Sequence, residues 1–330
     1  MKTKPFVRRW CLRLAITYLA IVAVGCLWIW FDTEDRAVPA LVLYGPRWIA
    51  TLPLVLLVPL ALLARSWWCI GIVLATALGI AGPLMGGRVA LSTQFDPPPA
   101  YARYRIMTWN AGGSNSTAAF KKSQDELRPD IILIQEFTGN MSAADFPANF
   151  KYAEGPGGLR MASVYPGRFQ DGIGSDRLPL PGNAARFLLD TPDGPLTVYN
   201  LHLPTARPGI EVAVHSKLAN LSDLRKVLSH QAKASSIVRN WMGSPISMTV
   251  IAGDFNMPVE SSTYQRDWGM FQNAFSEVGN GWGGTKMTSW HGIRIDHVLY
   301  GAPFHCRNCF VGPDLGSDHR PVIADLTLED

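Results

Sequence analysis

The chain has 330 residues, enough for one large domain or two ordinary ones, with 48% hydrophobic residues and a formal net charge of +4. Residues 1–100 hold nine Lys/Arg against four Asp/Glu, whereas residues 101–330 hold 21 against 22 and all seven histidines. The basic excess therefore sits in Lys2, Lys4, Arg8, Arg9 and Arg13, which is the pattern of a membrane flank and argues against a nucleic-acid footprint.

Leu14–Phe31 is an uncharged run of 18 residues, Trp48–Ala64 one of 17 and Ser66–Gly87 one of 22. A membrane-crossing helix needs about 20 apolar residues, with a lower limit of about 17. All three runs qualify; the second carries Pro53 and Pro59, tolerable where neighbouring helices cover the freed carbonyls. The first run also has the basic start of a secretory signal, but no small-residue cleavage site stands near Phe31. With cations kept inside, the N-terminus and Arg65 are cytoplasmic, and three spans put everything after Arg88 outside. The expected organisation is a membrane anchor over 1–91, a linker over 92–102 stiffened by Pro97-Pro98-Pro99, and a soluble domain over 103–330.

In the soluble part, Arg105–Asn110 reads as a strand, Thr117–Leu127 as a helix closed by Pro129, and Ile131–Gln135 as a buried strand ending on Glu136. Leu159–Tyr165 is a further strand. Two arms, 186–190 and 196–200, flank Pro192-Asp193-Gly194 and read as a hairpin whose second arm delivers Asn200 and His202. Val212–Trp241 is helix-like, with Leu218, Leu221, Leu224 and Leu228 at helical spacing. A strand from Thr249 runs into Gly253-Asp254-Phe255-Asn256. If strand geometry persists past the glycine, Asp254 and Asn256 share a face. Arg294–Tyr300, Cys306–Val311 and Pro321–Leu326 complete the strands, with Asp318-His319 at the mouth of the last. Outside the cytoplasm the Cys306/Cys309 pair is most simply a short-loop disulfide, since four-ligand zinc and thioredoxin-type readings lack their partners.

Strands in this stretch begin or end on polar chemistry at Asn110, Glu136, His202, Asp254/Asn256 and Asp318/His319, and another contains Asp296. Such groups can converge at the rim of a packed sheet. The segments Met107–Asn110, Pro129–Glu136, Tyr199–His202, Gly253–Asn256, Arg294–Asp296 and Ser317–Val322 together resemble the endonuclease/exonuclease/phosphatase superfamily, in order and at ordinary family spacing. The resemblance implies an α/β fold, a four-layer α/β sandwich of two mixed sheets, here preceded by three transmembrane helices. It further implies a metal phosphohydrolase site at one end, with Glu136 as principal metal ligand, Asn110 beside it and Asp318 near the ion. Asp254 is expected to position or deprotonate the attacking water, held by Asn256. His202 is expected to contact phosphate, and His319 to face the phosphoryl oxygens in a dyad with Asp296. Oxygen ligands of this kind select a hard cation, Mg²⁺ or Mn²⁺.

Two departures bear on substrate. Val164 stands where many members carry an arginine in Leu-Ser-Arg-Tyr-Pro, and the tyrosine that nuclease members place before that strand has no match at 155–158. The expected activity is hydrolysis of an envelope or lipid-linked phosphate by an extracytoplasmic domain anchored in the inner membrane. The alternatives are a nuclease acting on DNA or RNA and a non-catalytic envelope binding module; no protein partner is inferred.

Overall fold

A computed structural model describes residues 3–31, 36–90, 103–113, 117–138, 146–244 and 248–328. The linker expected at 92–102 lies outside the described residues. The chain divides into two compact units, Met1–Gly87 with Glu260–Ser262, and Arg88–Val259 with Thr263–Asp330.

The first unit is helical. Helix α1 covers Thr3–Phe31, α2 Ala37–Tyr44, α3 Leu54–Ala64 and α4 Trp67–Gly79. Among the described residues, three segments are long and apolar enough to cross a membrane: Pro5–Phe31 (27 residues), Arg47–Ala64 (18 residues) and Trp67–Leu84 (18 residues). The second segment is not one continuous α-helix. A 3₁₀ turn over Arg47–Thr51 precedes Pro53, which caps α3, while Pro59 is accommodated inside it. Cys11 and Ala15 of α1 pack with Leu57 and Ala61 of α3 and with Cys69 and Val73 of α4. Leu56, Leu63, Trp67 and Trp68 stay exposed, so these helices are apolar on both their packed and open faces.

The second unit is built on two six-stranded mixed sheets. The first orders β13 (Phe304–Val311), β14 (Val322–Leu328), β1 (Tyr104–Asn110), β2 (Ile131–Gln135), β4 (Arg160–Ser163) and β3 (Tyr152–Glu154). The second orders β5 (Gly167–Ile173), β6 (Asn183–Thr191), β7 (Gly194–His202), β8 (Thr249–Asp254), β12 (Asp296–Tyr300) and β9 (Gln272–Asn273). β1 runs parallel to β2 and β7 to β8, and both pairs are joined by helical crossovers.

Alternation along the strands explains their unbroken apolar runs. Ile106, Ile131 and Leu133 share the central core with Phe187, Val198, Val250 and Val298 of the other sheet. The intervening Met107, Trp109, Ile132 and Ile134 face a second cluster containing Phe120 of α5 (Thr117–Leu127). On the opposite side Tyr199, Leu201, Ile251 and Leu299 pack with Val238 of α7 (Leu221–Met242) and Trp268 of α8 (Ser262–Trp268). Helix, sheet, sheet and helix form a four-layer sandwich, and strands buried on both faces need no polar side.

Two expectations change. The single helix expected over Val212–Trp241 is two, α6 (Arg207–His215) and α7, because Lys217 and Leu218 take positive φ angles of 51° and 69° between them. Leu218 consequently lies exposed while Leu224 and Leu228 are buried. Cys306 and Cys309 are free thiols, both buried. They sit in one strand with a register shift between Cys306 and Asn308, which returns both side chains to the core face instead of linking them.

Candidate active site

The site is assembled at the ends of strands from both sheets. Register places His202, Asp254 and Asp296 side by side, since Asp254 pairs with His202 across β7–β8 and with Asp296 across β8–β12. Gly253 makes this row possible. Its φ is +146°, and an added Cβ would lie 1.9 Å from the Leu201 carbonyl oxygen, so only glycine lets the two strands close here. From the other sheet, Asn110 ends β1 and pairs with Gln135, the last residue of β2, which puts Glu136 one step beyond. Glu136 takes a positive φ of 52°. Its carbonyl accepts the Gly113 N–H at 3.1 Å, and the next N–H, of Phe137, donates to Gly158 at 3.0 Å. A non-glycine residue held left-handed from both sides is local strain of the kind that persists where the surroundings over-determine it.

Asn110 joins the two sheets' carboxylates. Its Nδ2 donates to Glu136 Oε1 at 3.0 Å and to Asp254 Oδ2 at 2.8 Å. Its Oδ1 accepts the Gly112 N–H at 2.8 Å, which fixes the amide with nitrogen towards the carboxylates. Asp254 is wholly buried, and its Oδ1 accepts the backbone N–H of Asn256 at 2.8 Å. The chain has left strand geometry there: Asn256 has φ 52°, and its side-chain amide donates to the Leu203 carbonyl at 2.8 Å. His202 Nε2 lies 3.3 Å from Glu136 Oε1 and 3.9 Å from Asp254 Oδ2. His319 Nδ1 meets Asp296 Oδ2 at 2.9 Å, and its Nε2 points towards Asp254 Oδ2 at 3.8 Å.

The local electrostatics follow from this packing. The His202 contact holds the Glu136 carboxyl down to about 2, against burial and helped by Asn110. Burial and the neighbouring Asp296 raise Asp254, with His319 and His202 opposing. Burial by itself would lower His319, but the Asp296 and Asp254 carboxylates outweigh it and lift the imidazolium to about 9. His202 is likewise raised, its burial outweighed by Glu136 and Asp254.

Among the described residues, two groups of side chains bring ligand atoms within 4.8 Å of one another: Glu136, His202 and Asp254, and Asp254, Asp296 and His319. The second group is buried and already joined by the His319–Asp296 pair, so the first, opened by the partly exposed Glu136, is the better cation seat. Two carboxylates are the oxygen ligands that a hard divalent ion usually takes. Of the three metal ligands expected from sequence, Glu136 is in this group. Asn110 turns its nitrogen to the carboxylates. Asp318 is half-exposed, pairs with Lys286, and stays outside both groups.

Several further residues, given no role from the sequence, position these groups. Ser317 Oγ donates to the Asn110 carbonyl at 2.8 Å and accepts the His319 N–H at 3.1 Å. Trp109 Nε1 donates to the His319 carbonyl at 3.2 Å. Thr285 Oγ1 accepts the Asp296 N–H at 3.1 Å from eleven residues away. Beneath the site, Gln135 Nε2 donates to Asn200 Oδ1 at 2.7 Å, a buried bridge between the sheets.

Residues 107–319, well over half the chain, match the Endonuclease/Exonuclease/phosphatase family. With the two-sheet sandwich, this defines the class: the chain belongs to the endonuclease/exonuclease/phosphatase family, whose members are hydrolases acting on phosphate esters. No curated relative matches. Among solved structures, the chain is similar to an endonuclease/exonuclease/phosphatase from Beutenbergia cavernae DSM 12333 (17% identity, 68% of this chain and 71% of that one, TM-score 0.48). It is also similar to the human Nocturnin catalytic domain with bound sulfate (14% identity, 68% and 94%, TM-score 0.48). A third is a mannosyl-6-phosphatase from Bacteroides thetaiotaomicron VPI-5482 (14% identity, 68% and 100%, TM-score 0.46). At these identities and scores the likeness says nothing about substrate.

Proposed function

We propose that the chain is a divalent-cation-dependent phosphohydrolase of the inner membrane, anchored by residues 1–91, with a catalytic domain over 103–330 outside the cytoplasm and a lipid-linked or other envelope phosphate as substrate. The observation that carries the reading is the Asn110 bridge between Glu136 and Asp254, with His202 against one side and the His319–Asp296 pair against the other. The three apolar segments near the N-terminus and the near-neutral charge of residues 101–330 favour a membrane-surface substrate over a nucleic acid.

In this reading the carboxylates of Glu136 and Asp254 would hold Mg²⁺ or Mn²⁺, with His202 beside them. When bound, the ion supplies charge neutralisation and polarisation of the phosphate. Asp254, fixed through both oxygens by Asn110 and Asn256, takes a proton from the attacking water. His319 donates its Nδ1 proton to Asp296, is held charged by it, and directs Nε2–H at charge developing on the phosphoryl oxygens. His202 anchors Glu136 and lies within reach of the same phosphate. Asp318 and Lys286 form the rim.

The test is a substrate panel with the full chain in detergent and Mg²⁺ or Mn²⁺: a polyprenyl pyrophosphate, sphingomyelin, an inositol phosphate, and nicked or abasic DNA. Turnover of a lipid phosphate is expected, with Glu136→Ala and Asp254→Ala each lowering kcat by about 10²-fold or more. DNA cleavage without lipid turnover overturns the substrate; near-normal rates in either variant overturn the site.

A further inference from the structure

Beside His319 stands a small hairpin that the catalytic account leaves unused. Its strands are β10 (Lys286–Met287) and β11 (Gly292–Ile293). Its base is fastened to the site: the Met287 N–H donates to the Asp318 carbonyl at 2.7 Å, and the Arg320 N–H to the Thr285 carbonyl at 2.7 Å. Lys286 also bridges to His319 through the backbone, and its amine pairs with Asp318. The tip is closed on itself, since Thr288 Oγ1 donates to the His291 carbonyl at 2.8 Å and accepts the His291 N–H at 3.0 Å. The hairpin's base is thus tied to the segment that carries His319, and its tip is closed by its own bonds.

What this braced element presents is apolar. Trp290 is 77% exposed, Met287 42%, and Trp282, just before the hairpin, 56%. Among the described residues of the second unit, Trp282 and Trp290 are the exposed tryptophans, whereas Trp109 and Trp268 are buried. An indole this exposed forgoes a large burial term, and tryptophan is favoured where one end of a ring is wet and the other apolar. The chain also enters the second unit at this place. Arg88 and Gly281 exchange two backbone hydrogen bonds of 2.9 Å, and the Ala90 N–H donates to Asn280 Oδ1 at 3.0 Å. Arg88 follows Leu84, the last residue of the third apolar segment, by only four positions.

We propose that the β10–β11 hairpin is the recognition element for the hydrocarbon of an amphiphilic substrate: Trp290 and Met287 seat in the lipid surface while the phosphate lies at His319. This rests on the phosphohydrolase reading and adds to it the substrate class, a phosphate ester still embedded in lipid. Specificity then comes from two separated contacts, one apolar and one anionic. A water-soluble ester engages only the second.

The experiment uses the full chain in lipid nanodiscs. Trp290→Ala and the double variant Trp290→Ala/Met287→Ser are compared with wild type on a polyprenyl phosphate in the disc and on soluble p-nitrophenyl phosphate. Expected is a loss of roughly tenfold in kcat/KM on the lipid ester, mainly in KM, with the soluble ester changed less than about twofold. Equal loss on both esters, or none on the lipid ester, overturns the hairpin's role while leaving the phosphohydrolase reading standing. A second readout does not need turnover. An environment-sensitive fluorophore on Trp290→Cys should shift to the blue and be quenched by doxyl-labelled lipid, whereas the same label on Met270→Cys, an exposed position elsewhere, should not. A water-like label at 290 overturns the inference. Quenching at 290 with no lipid-ester turnover in wild type supports the lipid contact and overturns the substrate.

Discussion

At the residue scale, the site is a balance of like charges made tolerable by single hydrogen bonds. Asn110 meets both Glu136 and Asp254, so one amide offsets the repulsion a cation would otherwise have to offset alone. Glu136, His202, Asp254 and His319 stood out in the sequence because they flank apolar strands, and Asp296 because it lies inside one. The role of Asn110 was not, since its orientation depends on the Gly112 N–H. Nor was the left-handed backbone of Glu136, a residue type that seldom adopts it. His297 shows the same hidden chemistry beside the site. It is buried, with Nε2 3.0 Å from the Met257 carbonyl and Nδ1 3.3 Å from the Asn273 amide, so one neutral tautomer satisfies both. Burial, reinforced by Arg294, depresses it to about 3. The unfolded chain therefore binds a proton that the folded one refuses between about pH 6.5 and about pH 3. Stability from this group is complete above that window and falls with decreasing pH by up to ~1.4 kcal/mol per pH unit. Melting curves of the full chain in detergent from pH 7 to pH 4.5 should show a steeper acid loss in wild type than in His297→Gln; equal slopes would refute the assignment.

At the scale of elements, two sheets have to be held in register for their strand ends to meet. Continuous apolar runs made the central strands legible, because both faces are buried. The edge strand β5, mostly exposed and polar, carried no such pattern, and the break between α6 and α7 turns on two backbone angles that leave helical periodicity intact. The tie between sheets was equally silent. Gln135 Nε2 reaches Asn200 Oδ1 at 2.7 Å, and Asn200 Nδ2 reaches the carbonyls of Ile134 at 3.1 Å and Arg160 at 2.9 Å. Every partner is satisfied, so removing one leaves buried polar groups unpaired. Asn200→Leu should cost about 2–4 kcal/mol by loss of these bonds, read as a lowered melting temperature, while Leu201→Ile, beside it in the core, should cost under about 1.5 kcal/mol. A neutral Asn200→Leu would show that the bridge does not hold the sheets.

At the scale of the whole molecule, one chain joins three apolar segments to a phosphoesterase fold. The apolar segments end where the uncharged runs suggested for the first two, at Phe31 and Ala64, while Gly82-Pro83 disrupt the third before its run ends at Gly87. The first helix begins earlier than its uncharged run because basic residues form helix as readily as apolar ones. The proposed topology follows from the flanking cations and from the number of spans. Alkaline phosphatase fused after Asp330 should be active and a cytoplasmic reporter at the same place silent; the reverse pattern would mean an even number of spans.

The central claim is that one cation sits between the sheets on Glu136, and Mn²⁺ binding to the full chain, followed by the loss of the free-ion paramagnetic resonance signal, tests it most directly. The account predicts saturable binding in wild type that weakens by about 10–100-fold in Glu136→Gln, with a smaller change in Lys286→Ala at the rim. Identical isotherms for wild type and Glu136→Gln would contradict it.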